Sequence, residues 1–129
     1  MNADNNRAEF DATTGTIIAA VYTVSNQLGH GFLEKVYENA LCIELRKSGL
    51  AIKQQASIQV FYNGKIVGDY FADIIVNDAI ILELKSVKSL DSNHHAQCMN
   101  YLKATQYKVC LLINFGNPKA EIKRIVNNF

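Results

Sequence analysis

Excess charge, proline, paired cysteines and long apolar runs are all scarce in this sequence, and each scarcity closes off a class of protein. Its 129 residues carry 13 basic and 12 acidic side chains, a formal net charge of +1. A uniformly basic nucleic-acid coat is excluded, so any nucleic-acid role must come from a local patch. A single proline, with 49% hydrophobic and 19% charged residues, excludes a disordered tail, a collagen-like chain and a low-complexity linker. Three cysteines, Cys42, Cys98 and Cys110, form no CxxC pair. They argue against a disulfide framework, a zinc ribbon or a four-thiolate cluster, and are expected to pack as small hydrophobes. The longest apolar runs, such as Val109 to Ile113, are too short to cross a bilayer, so no membrane partner is expected. The polar start, Met1 to Arg7, lacks the apolar stretch of a signal peptide, and the expected setting is the reducing cytoplasm.

What is present is enough apolar residue for one core. Residues 1–10 are expected to be a poorly ordered polar segment and 11–129 a single domain. Ile17, Ile18, Val21, Val24 and Leu28 predict a helix from Asp11 to Leu28, closed by Gly29. Leu33, Val36, Tyr37, Ala40, Leu41 and Leu45 predict a second from about Phe32 to Ser48, closed by Gly49. The period then changes. Strands are predicted over 52–62, 65–76 (bulged near Gly68) and 79–87, with Asn63-Gly64 and Asn77-Asp78 as turns. A helix follows over about 94–104. The apolar run 108–115 reads as a strand covered on both faces. Ile122 to Val126 fits a short strand or a helix. The order predicts an α/β fold: a mixed β-sheet with an antiparallel meander and a parallel crossover strand, flanked by α-helices.

The charged residues of the third predicted strand carry the chemistry. Alternation puts Glu83 and Lys85 on one face and Ile80, Leu82 and Leu84 on the other. A two-residue turn at Asn77-Asp78 would pair Asp73 with Leu82 and spoil the apolar face. A three-residue loop or a bulge pairs Val76 with Ile80, Ile74 with Leu82 and Asp73 with Glu83, and the apolar pattern selects it. Two carboxylates so placed repel. A divalent cation would compensate, and magnesium needs few protein ligands. Lys85 beside it could polarise a bound water or steady charge on a phosphate. Spacing alone leaves a second reading open, a solvated charge cluster worth little.

At these residues the chain resembles the PD-(D/E)xK nuclease superfamily, with its restriction-endonuclease-like core. The match is Asp73 followed about ten residues on by Glu83-Leu84-Lys85. Gly31-Phe32-Leu33-Glu34-Lys35-Val36-Tyr37 resembles the GxxExxY signature of a prokaryotic family within it. Ala72-Asp73-Ile74, His94-His95-Ala96-Gln97, Tyr101-Leu102-Lys103 and Leu111 to Gly116 are similar to that family's further blocks, in its order. Ala72 stands where the superfamily name has proline. The Gln97 and Tyr101 pair resembles a QxxxY element of related nucleases.

The resemblance implies a metal-dependent nuclease that hydrolyses phosphodiester bonds, with DNA as the expected substrate. Magnesium or manganese would be bound by Asp73 and Glu83, with Glu34 as a further ligand, and Lys85 would assist the attacking water. Glu34 could equally serve its helix N-terminus. Gln97 and Tyr101 share a helical face and could reach the acidic residues or form a mere polar edge. Tyr37 is expected to pack, its hydroxyl supporting Glu34 or Lys85. His94 is a candidate for contact with phosphate or the site. Lys35, Lys88 and Lys103 are the phosphate-contact candidates. No recognition helix or zinc finger is found. The alternative is a non-catalytic nucleic-acid-binding or interaction module of the same fold in a repair or defence assembly. A protein partner or a homo-oligomer is left open.

Overall fold

A computed structural model describes residues 3–129, with side chains from residue 7 onward. Eight elements follow in the order α1 (Ala3–Leu28), α2 (Glu34–Lys47), β1 (Ile52–Tyr62), β2 (Lys65–Val76), β3 (Ile80–Lys85), α3 (Ser92–Ala104), β4 (Val109–Asn114) and β5 (Glu121–Val126). The five strands form one sheet in sequence order. All neighbours pair antiparallel except β3 and β4, which are parallel and joined through α3. This is the mixed sheet the residue pattern predicts.

Two apolar layers hold the sheet between helices. Ile17, Val21 and Val24 of α1 and Leu41 and Leu45 of α2 pack on Ile74, Leu82, Leu84, Leu111 and Ile113. On the other face, Cys98, Tyr101 and Leu102 of α3 pack on Ile75, Ile81, Cys110 and Leu112. Every side chain of β4 is buried, which is why its apolar run is continuous. The three cysteines are free and buried, as their apolar settings predict.

Helix ends follow local chemistry. Gly29 (φ +68°) ends α1, its N–H reaching the Ser25 carbonyl. Past α2, the Gly49 N–H bonds the Arg46 carbonyl and the Leu50 N–H the Leu45 carbonyl, a Schellman closure with Gly49 at φ +84°. The main departure is at the start. The helix α1 begins at Ala3 rather than Asp11, running through residues expected to be a loose polar segment; residues 1–2 lie outside the described part. Its early turns are held by the far end of the chain. Phe10 packs edge-on against Phe129 (4.8 Å), and the Arg7 guanidinium lies 4.3 Å from the same ring.

The turns set the register that matters for function. Asn63 and Gly64 both have positive φ, the type I′ signature. The ladder slips at Val60/Phe61 opposite Gly68 and Ile66, leaving Val67 bulged. Asn77 and Asp78 also have positive φ, and the Ala79 N–H reaches the Val76 carbonyl. Val76 still pairs with Ile80, and Ile74 with Leu82, the register the apolar pattern selects.

Candidate active site

The site forms where β2 and β3 part. Their ladder ends at Ile74 opposite Leu82, whereas β3 stays paired with β4 as far as Lys85 opposite Asn114. Beyond Leu82 the Leu84 N–H has no strand partner on β2, and Asp73 supplies one, its Oδ2 accepting at 2.7 Å. The Asp73 N–H in turn donates to Glu83 Oε1 at 3.2 Å. Each carboxylate therefore ties down backbone on the neighbouring strand and keeps its second oxygen for other work. Asp73 Oδ1 has only a long 3.4 Å bond from Gln55.

Burial and like charge shape the electrostatics. Glu83 is only 3% exposed. Burial, reinforced by the Asp73 charge, pushes its carboxyl up to about 8, against opposing pulls from the Asp73 N–H and Lys85. Asp73 is also raised, chiefly by burial and then by the charges of Glu38 and Glu34 on α2, with the Leu84 N–H and Gln55 acting the other way. Lys85 is half-buried at the end of β3, two residues beyond Glu83 and so on its side of the strand.

The α2 helix brings a carboxylate that the sequence pattern did not single out. Glu38 is 4% exposed, and it accepts from Lys35 Nζ (2.8 Å), from Gln55 Nε2 (2.8 Å) and from Gln54 Nε2. Gln55 holds its place at a cost in backbone strain: it sits mid-strand opposite Asp73 with φ +54°. Glu34 is exposed one turn earlier on the same face. The one signal for Glu38 was an acid one turn after Glu34 inside an apolar stripe.

The supporting residues divide. Gln97 donates to the Tyr101 hydroxyl at 3.0 Å. Tyr101 packs with Ile75 and Ile81 on the face of the sheet that Asp73 and Glu83 share, and its hydroxyl is raised by burial and then by the Glu83 charge. Tyr37 does not support Glu34 or Lys85. Its hydroxyl donates to the Gly29 carbonyl (2.7 Å) and accepts from the Phe32 N–H (3.2 Å), while its ring stacks on Phe115 at 4.6 Å. The expected packing is present, but the hydroxyl turns to the α1–α2 loop rather than to Glu34 or Lys85. His94 closes a capping box at the start of α3: Asp91 accepts from the Asn93 and His94 N–H groups, and His94 Nδ1 accepts from the Asp91 N–H. Lys35 is ion-paired with Glu38 (2.8 Å). Lys88 is exposed and shares a shallow groove of about 320 Å³ with Glu34. Lys103 lies on a separate groove beside Gln97 and Tyr101.

The end of β3 is anchored by a residue the sequence pattern did not assign. Asn114 is wholly buried; its Oδ1 accepts from the Val87 and Gly116 N–H groups, and its Nδ2 donates to the Val87 carbonyl (2.9 Å). The Phe115 N–H reaches the Lys85 carbonyl at 2.8 Å. The segment that follows Lys85 is thus fixed from β4.

The donor set suits one kind of metal. Among the described residues no three His, Cys, Asp or Glu side chains are grouped so as to hold a metal ion together, so Glu34 is not gathered with Asp73 and Glu83 as a third ligand. A hard divalent cation that keeps most of its waters needs only one or two carboxylates, and Asp73 with Glu83 offers those, with repulsion to relieve.

Comparison with known proteins agrees with this geometry. A profile of the PD-(D/E)XK nuclease superfamily matches residues 11–125, and the chain belongs to that superfamily. Its members generally use divalent metal ions. Among curated proteins, none matches by sequence. Two solved structures share the fold. One is an alkaline exonuclease (LHK-Exo) from Laribacter hongkongensis, 12% identical with a TM-score of 0.53, matched over 73% of this chain and 56% of that one. The other is the protein SSO0001, 18% identical with a TM-score of 0.57, over 96% and 62%. The chain therefore spans less than two thirds of the length of either. Among the described residues no helix is long and apolar enough to cross a membrane.

Proposed function

We propose that this nuclease-superfamily chain is an active, magnesium- or manganese-dependent nuclease of the GxxExxY group, hydrolysing phosphodiester bonds of DNA in a prokaryotic cytoplasm, with residues 11–129 as its nuclease domain. The observation that carries the reading is the reciprocal Asp73–Glu83 arrangement at the split between β2 and β3, with Lys85 beside it. Asp73 and Glu83 would hold the divalent ion, with Glu34 of α2 acting through a bound water, and the bound ion would supply charge neutralisation at the phosphate and a more acidic water. Lys85 orients the attacking water and steadies the charge that develops on the phosphate. Gln97 and Tyr101 hold a phosphate oxygen or a water over the carboxylates, and Lys88 and Lys103 take flanking phosphates.

The test incubates purified protein with linear, circular and single-stranded DNA, and with RNA, in magnesium or manganese. Cleavage by the wild type, lost in Glu83→Ala and Lys85→Ala, is the expected result. If both variants degrade every substrate at the wild-type rate, the assignment is wrong.

A further inference from the structure

A groove runs between α3, at Gln97 and Tyr101, and the outer half of the β1–β2 hairpin. Its volume is about 630 Å³, inside the roughly 300–1,000 Å³ range of small-ligand sites. Phe61 and Tyr70 from the hairpin line one side and are 58% and 51% exposed. From α3 come Gln97, Asn100, Tyr101 and Lys103. None of the lining residues is a carboxylate.

We propose that this groove holds an unpaired nucleobase, stacked on Tyr70 and Phe61, of the strand whose phosphate lies at Asp73 and Glu83, so that the protein selects single-stranded segments over intact duplex. The proposal rests on the nuclease reading above. Aromatic faces left half-exposed beside a phosphate site are what unstacked bases seek, whereas a duplex keeps its bases stacked on one another. Amide side chains such as Asn100 can bond base edges of any identity, and Lys103 offers the groove a phosphate contact. The posture of Tyr70 is built into the hairpin. Its ring lies 6.0 Å from that of Tyr101, tilted by 48°. It leans over Gly68, where a β-carbon would come within 3.1 Å of Tyr70 Cε2. The Val67 bulge beside Gly68 twists the strand that carries it. The groove and the carboxylates share one side of the sheet: Tyr101 lines the groove and packs with Ile75 and Ile81, and alternation puts Asp73 and Glu83 on that same face.

The test is fluorescence anisotropy with a labelled oligothymidine, an oligouridine and a blunt DNA duplex of equal length, with calcium replacing magnesium. The wild type is expected to bind a single strand more tightly than the duplex. Tyr70→Ala and Phe61→Ala should each weaken single-strand binding by about 5- to 150-fold, with duplex binding and the melting temperature unchanged. Tyr70→Trp, which keeps a stacking face, should bind as the wild type does. Loss on either single strand supports the groove. The proposal is overturned if both alanine variants bind oligothymidine and oligouridine as the wild type does, if they lose the duplex equally, or if the wild type prefers the duplex. Parallel cleavage assays in magnesium separate the two claims. Aromatic-dependent single-strand binding without cleavage would retain the groove and remove the enzyme. Cleavage whose single-strand to duplex ratio is the same in the alanine variants would retain the enzyme and remove the groove.

Discussion

Asp73 and Glu83 hold each other's strands: the Asp73 N–H donates to Glu83 Oε1, and Asp73 Oδ2 accepts the N–H of Leu84, the residue after Glu83. On the proposed function the pair would serve structure and chemistry at once, and substitutions can separate the two. Asp73→Asn keeps an oxygen for Leu84 and removes a like charge, so the metal-free protein should melt no lower than the wild type. Asp73→Ala strands the Leu84 N–H and should cost about 1–3 kcal/mol. Both variants should lose metal-dependent cleavage. Thermal melts beside a cleavage assay check this; equal melting of the two variants would show that the Leu84 bond contributes nothing.

The same pair sets a pH dependence. The Glu83 carboxyl lies at about 8 in the fold against an ordinary 4.5. Its neutral form is therefore favoured in the folded state, and the stability this confers is lost as pH rises from about 4.5 through 8. Asp73 is shifted in the same direction. A divalent ion held by the pair would bind its ionised form, so its stabilising effect should grow over that interval. Melting temperatures in EDTA and in magnesium, measured from pH 6 to 9, should diverge with pH. In Glu83→Gln the divergence should shrink. Parallel curves for the wild type would contradict this account.

The two acids of α2 should behave differently. Glu38 is buried among the Gln54 and Gln55 amides. Glu38→Ala should destabilise by about 1–3 kcal/mol as those donors lose their acceptor, and should free Gln55 from its strained geometry. Glu34 is exposed, and Glu34→Ala should change stability by less than about 0.5 kcal/mol while lowering cleavage. A Glu34→Ala variant with wild-type turnover at every magnesium concentration would take Glu34 out of the site.

How far these features were legible depends on their range in the chain. The β2–β3 register followed from Ile74, Val76, Ile80 and Leu82 alone, because a one-residue slip would have buried Asp73. The parting of the strands beyond Leu82 was not legible, since it replaces a ladder bond with a side chain. Glu38 was missed because its partners Gln54 and Gln55 come from another element and depend on a left-handed residue that no local propensity favours. The ambiguity of residues 122–126 has a similar source. Ile122 packs with one layer and Ile125 with the other; their three-residue spacing imitates a helix, although a strand between two layers produces it. The early start of α1 depends on Phe129, at the opposite end of the sequence.

Tyr37 offers a contrasting test, because its ring and hydroxyl serve the fold. Tyr37→Phe keeps the ring on Phe115 and removes the hydroxyl that joins Gly29 to Phe32. It should cost about 1 kcal/mol and leave the magnesium concentration for half-maximal cleavage unchanged. A large shift in that concentration at unchanged stability would return Tyr37 to the site.

Gly116 tests whether the segment after Lys85 must be held from β4. A β-carbon at Gly116 would overlap the backbone of Val87. Neither side can yield cheaply. Val87 is bonded through both its N–H and its carbonyl to Asn114, and the Gly116 N–H shares the same Asn114 oxygen. Gly116→Ala must therefore push the 86–88 segment away and break part of this network, at about 1–3 kcal/mol for the overpacking. Lys85 is the last residue of β3, and its carbonyl is bonded to Phe115, so its amine should lose its position with the segment. The expected signature is a fall in the cleavage rate larger than any fall in metal affinity, because Asp73 and Glu83 are held independently from β2 and β3. Gly15→Ala, in a helix where a β-carbon meets nothing, is the control and should be neutral or stabilising. If Gly116→Ala cleaves as the wild type does, the anchoring of Lys85 through Asn114 and Gly116 has no part in the reaction.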